Sequence, residues 1–162
     1  MKFIPRRSPA ATEGGLLYVS KAIDGDTLKL SNGENVRLIG IDTPESRYNS
    51  KLVRDSQRSR KDIDSILKMG RDASNYTRCL AQGKRVRLVF DVQKRDKYGR
   101  LLAYVYLEDG TFVNGKIVEE GYAQVMTVQP NVKHAQTFLN LEREARQMRR
   151  GLWEEAADKS LF

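Results

Sequence analysis

The chain has one cysteine, Cys79, and one histidine, His134. A lone thiol closes no internal disulfide, and the two residues fall short of the several nitrogen or sulfur ligands a zinc site takes. Cys79 reads as a small core or half-buried residue. No apolar run approaches the ~18 residues of a membrane span. Residues 1–15 (MKFIPRRSPAATEGG) lack the apolar centre of a signal peptide and are expected to be a disordered leader. They leave two expectations for location: a cytosolic chain, or one whose export signal has been removed. Acidic residues are the minority, 21 against 29 Lys and Arg, a net charge of +8. That balance points to a polyanionic partner, either nucleic acid or an anionic membrane surface. At 162 residues a single domain can bury its core without covalent staples.

What is present is concentrated between Ile23 and Glu45 (IDGDTLKLSNGENVRLIGIDTPE). Asn32-Gly33 separates two apolar-polar runs, Thr27–Leu30 and Val36–Ile41. It predicts a tight hairpin whose two central residues take positive φ. Folding there brings Asp26 at one end towards Asp42 at the other, with Arg37 between them and Glu45 just beyond. Two carboxylates so placed repel unless a cation or proton sits between them. Pro44 ends the sheet segment.

The strand-like run 16–23 precedes this hairpin. Residues 46–61 (SRYNSKLVRDSQRSRK) are a basic insert with Asp55 as its one acid. Arg47, Lys51, Arg54, Arg58 and Lys61 share one face if it is helical. The insert is either a solvated loop or an electrostatic arm that tracks a phosphate backbone. A helix follows, secure over 69–81 because Gly70 weakens its start, with Gly83 as its stop. Residues 84–91 alternate as a strand. Asp96-Lys97-Tyr98-Gly99 is a β-turn delivering Arg100 onto a strand over 101–107. Asp109-Gly110 is another tight turn. Asn114 and Gly121 bracket a short helix as N-cap and stop. A last helix carries the stripe Phe138, Leu141, Ala145, Met148 and Leu152, with Trp153 packed nearby. The expected architecture is α+β, a five-stranded OB-fold β-barrel with three α-helices. The domain is expected over 16–154, with 155–162 as a tail.

Asp26 and Asp42 are oxygen donors, suited to Ca²⁺ or Mg²⁺, with Ca²⁺ favoured where few carboxylates are joined by a carbonyl and water. The ordinary alternative is that these aspartates cap turns; it fits Asp24 as well as a site role does, and fits Asp26 and Asp42 less because the hairpin pairs them. Arg37 and Arg100 present planar forks matched to phosphate oxygens. With a divalent cation, they would neutralise charge building on phosphorus. Glu45, on a loop, could take a proton from attacking water, or be a capping or surface residue.

The blocks IDGDT (23–27), VRLIGIDTPE (36–45) and DKYGR (96–100), in this order and spacing, resemble the staphylococcal nuclease family. KMGRDAS (68–74), VNGKIVEEGYA (113–123) and the closing Leu152-Trp153 are weaker matches. The resemblance implies an OB-fold and a Ca²⁺-dependent phosphodiesterase acting on DNA and RNA. Such an enzyme breaks the bond from phosphorus to the 5′ oxygen and leaves 3′-phosphate ends. It assigns the metal to Asp26, Asp42 and the Thr43 carbonyl, the phosphate to Arg37 and Arg100, and the general base to Glu45. Asp24 becomes a supporting residue behind the metal ligands. Tyr98, with Lys97 in the same turn, is assigned to substrate; Arg47, Lys51 and Arg54 of the insert are substrate-binding candidates on their charge. The implied partners are DNA and RNA in single-stranded or denatured form, without a membrane, and the implied state is a monomer. Family members are often exported, which makes a secreted or cell-envelope location an expectation.

Two departures stand out. The tyrosine pair that lines the family's nucleotide site falls on Met126 and Val128, which lack a flat face for stacking. The basic insert is longer than the family's usual loop, so charge is expected to replace lost stacking. An inactive OB-fold nucleic-acid-binding module is the main competing function. It need not keep Asp26, Arg37, Asp42, Glu45 and Arg100 together, yet all five are here. A membrane-surface binder would need a helix with bulky apolar residues opposite its charge.

Overall fold

The computed structural model describes residues 17–59 and 62–154. The leader over 1–15 and the tail over 155–162 lie outside the described residues. β1 (Leu17–Asp24), β2 (Thr27–Leu30), β3 (Asn35–Leu38) and β4 (Gly40–Asp42) come first. α1 (Ser50–Ser59), α2 (Ile63–Ala81), β5 (Arg85–Val89) and β6 (Leu101–Leu107) follow. α3 (Val113–Glu119), β7 (Gln124–Met126), α4 (Ala135–Gln147) and a 3-10 turn (Gly151–Trp153) complete the order. Strands β1-β2-β3-β6-β5 close into a barrel, and β4 and β7 form a separate two-stranded ribbon. This is the expected α+β barrel architecture. The strands' inward residues, among them Val19, Leu28, Val36, Leu38, Leu88, Ala103 and Val105, are fully or almost fully buried. That alternation is what a closed barrel requires of its strands.

Barrel closure positions the site. β3 and β6 run parallel, pairing Arg37 with Leu102. The chain entering β6 at Leu101 therefore brings Arg100 to the same end of the barrel as Arg37. Buried Asn114 fastens this seam. Its side-chain amide donates to the Ile39 carbonyl (3.0 Å) and the Ala103 carbonyl (3.1 Å), and its oxygen accepts from the Val105 N–H (2.9 Å). Asn114 was expected to cap α3, but the N-cap position is Phe112. The backbone of the barrel needs a buried amide there more than the helix needs a cap.

Other expectations need correcting. There are four α-helices among the described residues, not three, because the insert folds from Ser50 into α1. Leu52, fully buried, supplies the apolar attachment that a purely solvated loop lacks. Arg47 precedes that helix, so it does not share a helical face with Lys51 and Arg54. α2 is fully formed from Ile63, where the helical spacing begins, and not only over the secure part 69–81; the Asp62 carboxylate caps it, accepting from Ser65 N–H at 2.7 Å. Tertiary packing outweighs the weak propensity of Gly70: a Cβ there would lie 2.1 Å from the Glu45 carbonyl oxygen. At Asn32-Gly33 only the glycine takes positive φ. Gly33 N–H donates to the Leu30 carbonyl and Leu30 N–H to the Glu34 carbonyl, so the loop is wider than the expected two-residue turn. The run 36–41 is not one strand. Gly40, at φ +86°, breaks it, and a Cβ there would strike the Phe138 ring. Residues after the break leave the barrel and pair with β7.

Candidate active site

The ribbon β4–β7 carries Asp42 opposite Gln124. It is tied to α4 by the Glu142 carboxylate, which accepts from Val125 N–H at 2.6 Å. Asp26 sits in the turn between β1 and β2. Gly25 lets that turn press against Thr43, where a Cβ would lie 2.8 Å away. The Gly25 carbonyl accepts from the buried Thr77 hydroxyl of α2 at 2.8 Å. Asp26 Oδ2 accepts from both the N–H and the hydroxyl of Thr43 (3.1 Å each), and Oδ1 accepts from the Thr27 hydroxyl. The hairpin thus joins Asp26 to the segment following Asp42, as its ends suggested.

Arg37 links these carboxylates to the open surface. Its Nη1 donates to the carbonyls of Leu38 (3.0 Å) and Ile41 (2.9 Å). Its Nη2 lies 3.3 Å from Asp42 Oδ1 and 3.4 Å from Asp26 Oδ2. The guanidinium is held in place before any ligand arrives. Arg100 is held separately: its Nε donates to Asp96 Oδ2 at 2.7 Å, and its cation lies 5.4 Å from the centre of the Tyr98 ring. Asp96 Oδ1 also accepts from the Arg100 and Tyr98 N–H groups. Burial works to raise the Asp96 pKa. The hydrogen bonds and charge of Arg100 outweigh it and hold the carboxyl below the usual aspartate range.

Arg37, Arg100, Lys97 and Tyr98 line one cleft of about 470 Å³, with Met126 and Val128 on its wall. Tyr98 is 71% exposed, free to meet a ligand, and Met126 and Val128 are also exposed. Asp26 and Asp42 contact Arg37, and neither they nor Thr43 and Glu45 line the cleft itself.

Glu45 lies past Pro44, its backbone against Gly70 of α2. Its Oε2 accepts from the Asn49 side chain at 2.8 Å, and its Oε1 lies 3.1 Å from Lys51 Nζ. Lys51 is the residue whose placement the sequence did not convey. Its Nζ also lies 3.1 and 3.4 Å from the two Asp42 oxygens and 3.4 Å from the Thr43 carbonyl oxygen. Burial acts to lower the Lys51 pKa, but Asp42 and Glu45 outweigh it and raise it above the usual lysine value, so the ammonium stays charged. Burial raises the Asp42 pKa, with Asp26 adding and Lys51 and Arg37 opposing. Asp24 stands to one side, accepting from the Ser46 hydroxyl at 2.9 Å, its pKa raised chiefly by burial. Arg47 and Arg54 are exposed and outside this network.

Among the described residues, no three His, Cys, Asp or Glu side chains form a ready metal cluster. What gathers around Lys51 Nζ is two carboxylates and one carbonyl, an oxygen-only set already holding a positive charge. That chemistry fits a hard divalent cation completed by water, and Ca²⁺ tolerates such an irregular set best. Asp96 and Asn49, which hold Arg100 and Glu45, were not singled out as site residues. The spacing of Asp96 four residues before Arg100 in the turn was a usable signal; Asn49 had none.

Residues 35–155 match the family model described as staphylococcal nuclease homologue. The thermonuclease of Staphylococcus intermedius is 36% identical over 152 residues, covering 92% of this chain and 82% of its own length. The thermonuclease of Staphylococcus hyicus is 33% identical over 138 residues, 83% of this chain and 73% of its own. Endonuclease YncB of Bacillus subtilis is 37% identical over 140 residues, covering 83% of this chain and 60% of the relative. The closed five-stranded barrel with its flanking helices is an OB-fold. The chain belongs to the staphylococcal nuclease family.

Proposed function

We propose that the protein is a Ca²⁺-dependent nuclease that hydrolyses DNA and RNA, preferring single-stranded or denatured chains, and leaves 3′-phosphate ends. The observation that carries this reading is the placement of Arg37 and Arg100 on one cleft, with Asp26 and Asp42 ion-paired to Arg37 and Glu45 joined to Asp42 through Lys51. The names of the relatives, thermonucleases and an endonuclease, agree with it.

Asp26, Asp42 and the Thr43 carbonyl would hold Ca²⁺, which when bound supplies positive charge to a phosphate oxygen. The chain's own groups do the rest. Arg37 and Arg100 grip the phosphodiester from two sides, and their fixed forks stabilise the extra negative charge as phosphorus gains a fifth oxygen. Tyr98 and Lys97 hold a neighbouring part of the nucleotide chain at the cleft rim. Glu45 accepts the proton of the attacking water. The new bond joins that water oxygen to phosphorus, and the bond to the 5′ oxygen breaks. The leaving oxygen departs as a hydroxyl after taking up a proton.

The test is incubation with heat-denatured DNA in Ca²⁺ and in chelator, beside Arg100→Ala and Glu45→Ala. Cleavage that needs Ca²⁺ is expected. Arg100→Ala should lose on the order of 100-fold or more in turnover, since a preorganised donor contributes ~3 kcal/mol. Glu45→Ala should lower kcat with KM little changed. Binding of DNA without metal-dependent cleavage by the wild type would replace this reading with the inactive binding module.

A further inference from the structure

We propose that the Lys51 ammonium is a displaceable occupant of the cation seat, so that α1 sets the metal threshold of the site. The proposal rests on the assignment of Asp42 and Thr43 as metal ligands under the preceding heading. Four oxygens converge on Lys51 Nζ: both of Asp42 (3.1 and 3.4 Å), the Thr43 carbonyl (3.4 Å) and Glu45 Oε1 (3.1 Å). Two of these groups are the ligands a divalent cation would take, and the fourth oxygen belongs to the proposed base. The lysine is held by its helix. Buried Leu52, the next residue, fixes α1, and the Asn49 side-chain oxygen accepts from Leu52 N–H at 2.9 Å at the helix start. Asp55, one turn on, lies 4.0 Å from the same ammonium and offers it a third acidic partner, on its own helix.

A divalent ion bound to the Asp42 oxygens and the Thr43 carbonyl would need the same oxygens that Lys51 Nζ contacts, while Arg37 Nη2 already shares Asp42 Oδ1 at 3.3 Å. Entry of a divalent ion therefore ejects the ammonium. One displacement does two things. It frees the Asp42 oxygens for the ion, and it releases Glu45 Oε1 from its 3.1 Å ion pair with Lys51. Without metal, the Lys51 ammonium pairs with the half-buried Asp42 and Glu45 carboxylates; metal entry releases Glu45 and takes Asp42 in one displacement.

The experiment compares wild type, Lys51→Gln, Lys51→Met, Lys51→Arg and Asp42→Asn by calorimetric Ca²⁺ titration and by Tm with and without Ca²⁺. Lys51→Gln and Lys51→Met should bind Ca²⁺ at least about tenfold more tightly, the least effect a charge at this distance has on a neighbouring ionic equilibrium. Their Tm should fall without metal and rise more on adding it than the wild type's. Lys51→Arg, which keeps the charge, should stay within about threefold of wild type on the same grounds. Affinities of both neutral variants equal to or weaker than wild type overturn the proposal, provided Asp42→Asn abolishes binding. If Asp42→Asn instead binds Ca²⁺ as wild type does, the ion sits elsewhere. The metal-site assignment then falls, and this proposal with it.

Discussion

The orientation of Arg100, the proposed phosphate-binding arginine, depends on one neighbour. Its fork is aimed by Asp96, which also nucleates the turn by accepting two backbone N–H bonds. Asp96→Asn keeps the turn's acceptor oxygen but loses the ion pair. It should lower kcat by about tenfold, less than removing the arginine outright, because a loosened donor costs roughly 1–2 kcal/mol. The pH dependence carries a sign that checks the cause. The Asp96 pKa is depressed in the folded chain from 3.8. Its ion pair therefore stabilises the fold fully above that value, and the contribution is lost as pH falls through the folded pKa. In urea melts, the advantage of wild type over Asp96→Asn should be constant near neutrality and shrink below pH 3.8. A gap that widens in acid would mean that Asp96 is not held by its arginine.

At the scale of elements, the stretch Ile23–Glu45 was legible because its logic is local. A hairpin, a proline and alternating side chains are enough to bring Asp26, Arg37, Asp42 and Glu45 near one another. Arg100 was legible through its turn. The destination of Lys51 was not, because nothing in a run of basic residues says which one a helix will turn inward. That choice is made by Leu52, a single apolar residue whose burial needs a partner surface on distant elements. Gly70 was misread for a related reason. It looks like a weak point in α2, whereas it is the place where the Glu45 backbone lies against the helix. Gly70→Ala should therefore destabilise the fold by ~1–3 kcal/mol through overpacking. Its loss of kcat should exceed what the lower stability explains at 25 °C, because Glu45 is pushed aside; unchanged kcat in the folded variant would separate the glycine from the base. The outer face of α1 is open to test as a phosphate-tracking surface. Arg54 and Arg58 are exposed there, while Lys51 is turned inward. Replacing both with alanine should reduce the salt slope of single-stranded DNA binding by roughly 1.4, two contacts at about 0.7 each. An unchanged slope would leave α1 with no role in substrate capture beyond Lys51.

For the molecule as a whole, the barrel was legible from strand order and alternation, but its fastening was not. Asn114 looked like a cap because asparagine commonly caps helices. Its real partners are three backbone groups on segments 75 and 11 and 9 residues away in sequence. No local pattern encodes such a triple bond. Asn114→Ala should cost at least about 2 kcal/mol, since it strands buried backbone groups without partners; chemical denaturation measures this directly, and a loss below about 0.5 kcal/mol would mean that water replaces the amide. The parallel seam that Asn114 secures joins β3 to β6 across more than sixty residues of intervening chain. Bringing such distant segments together is an entropic hurdle that local hairpins do not face. Neither arginine alone makes a phosphate clamp, so a chain with every hairpin and helix in place would still be silent until that seam zips. Under the proposed mechanism, recovery of activity after denaturation should therefore not precede formation of that seam.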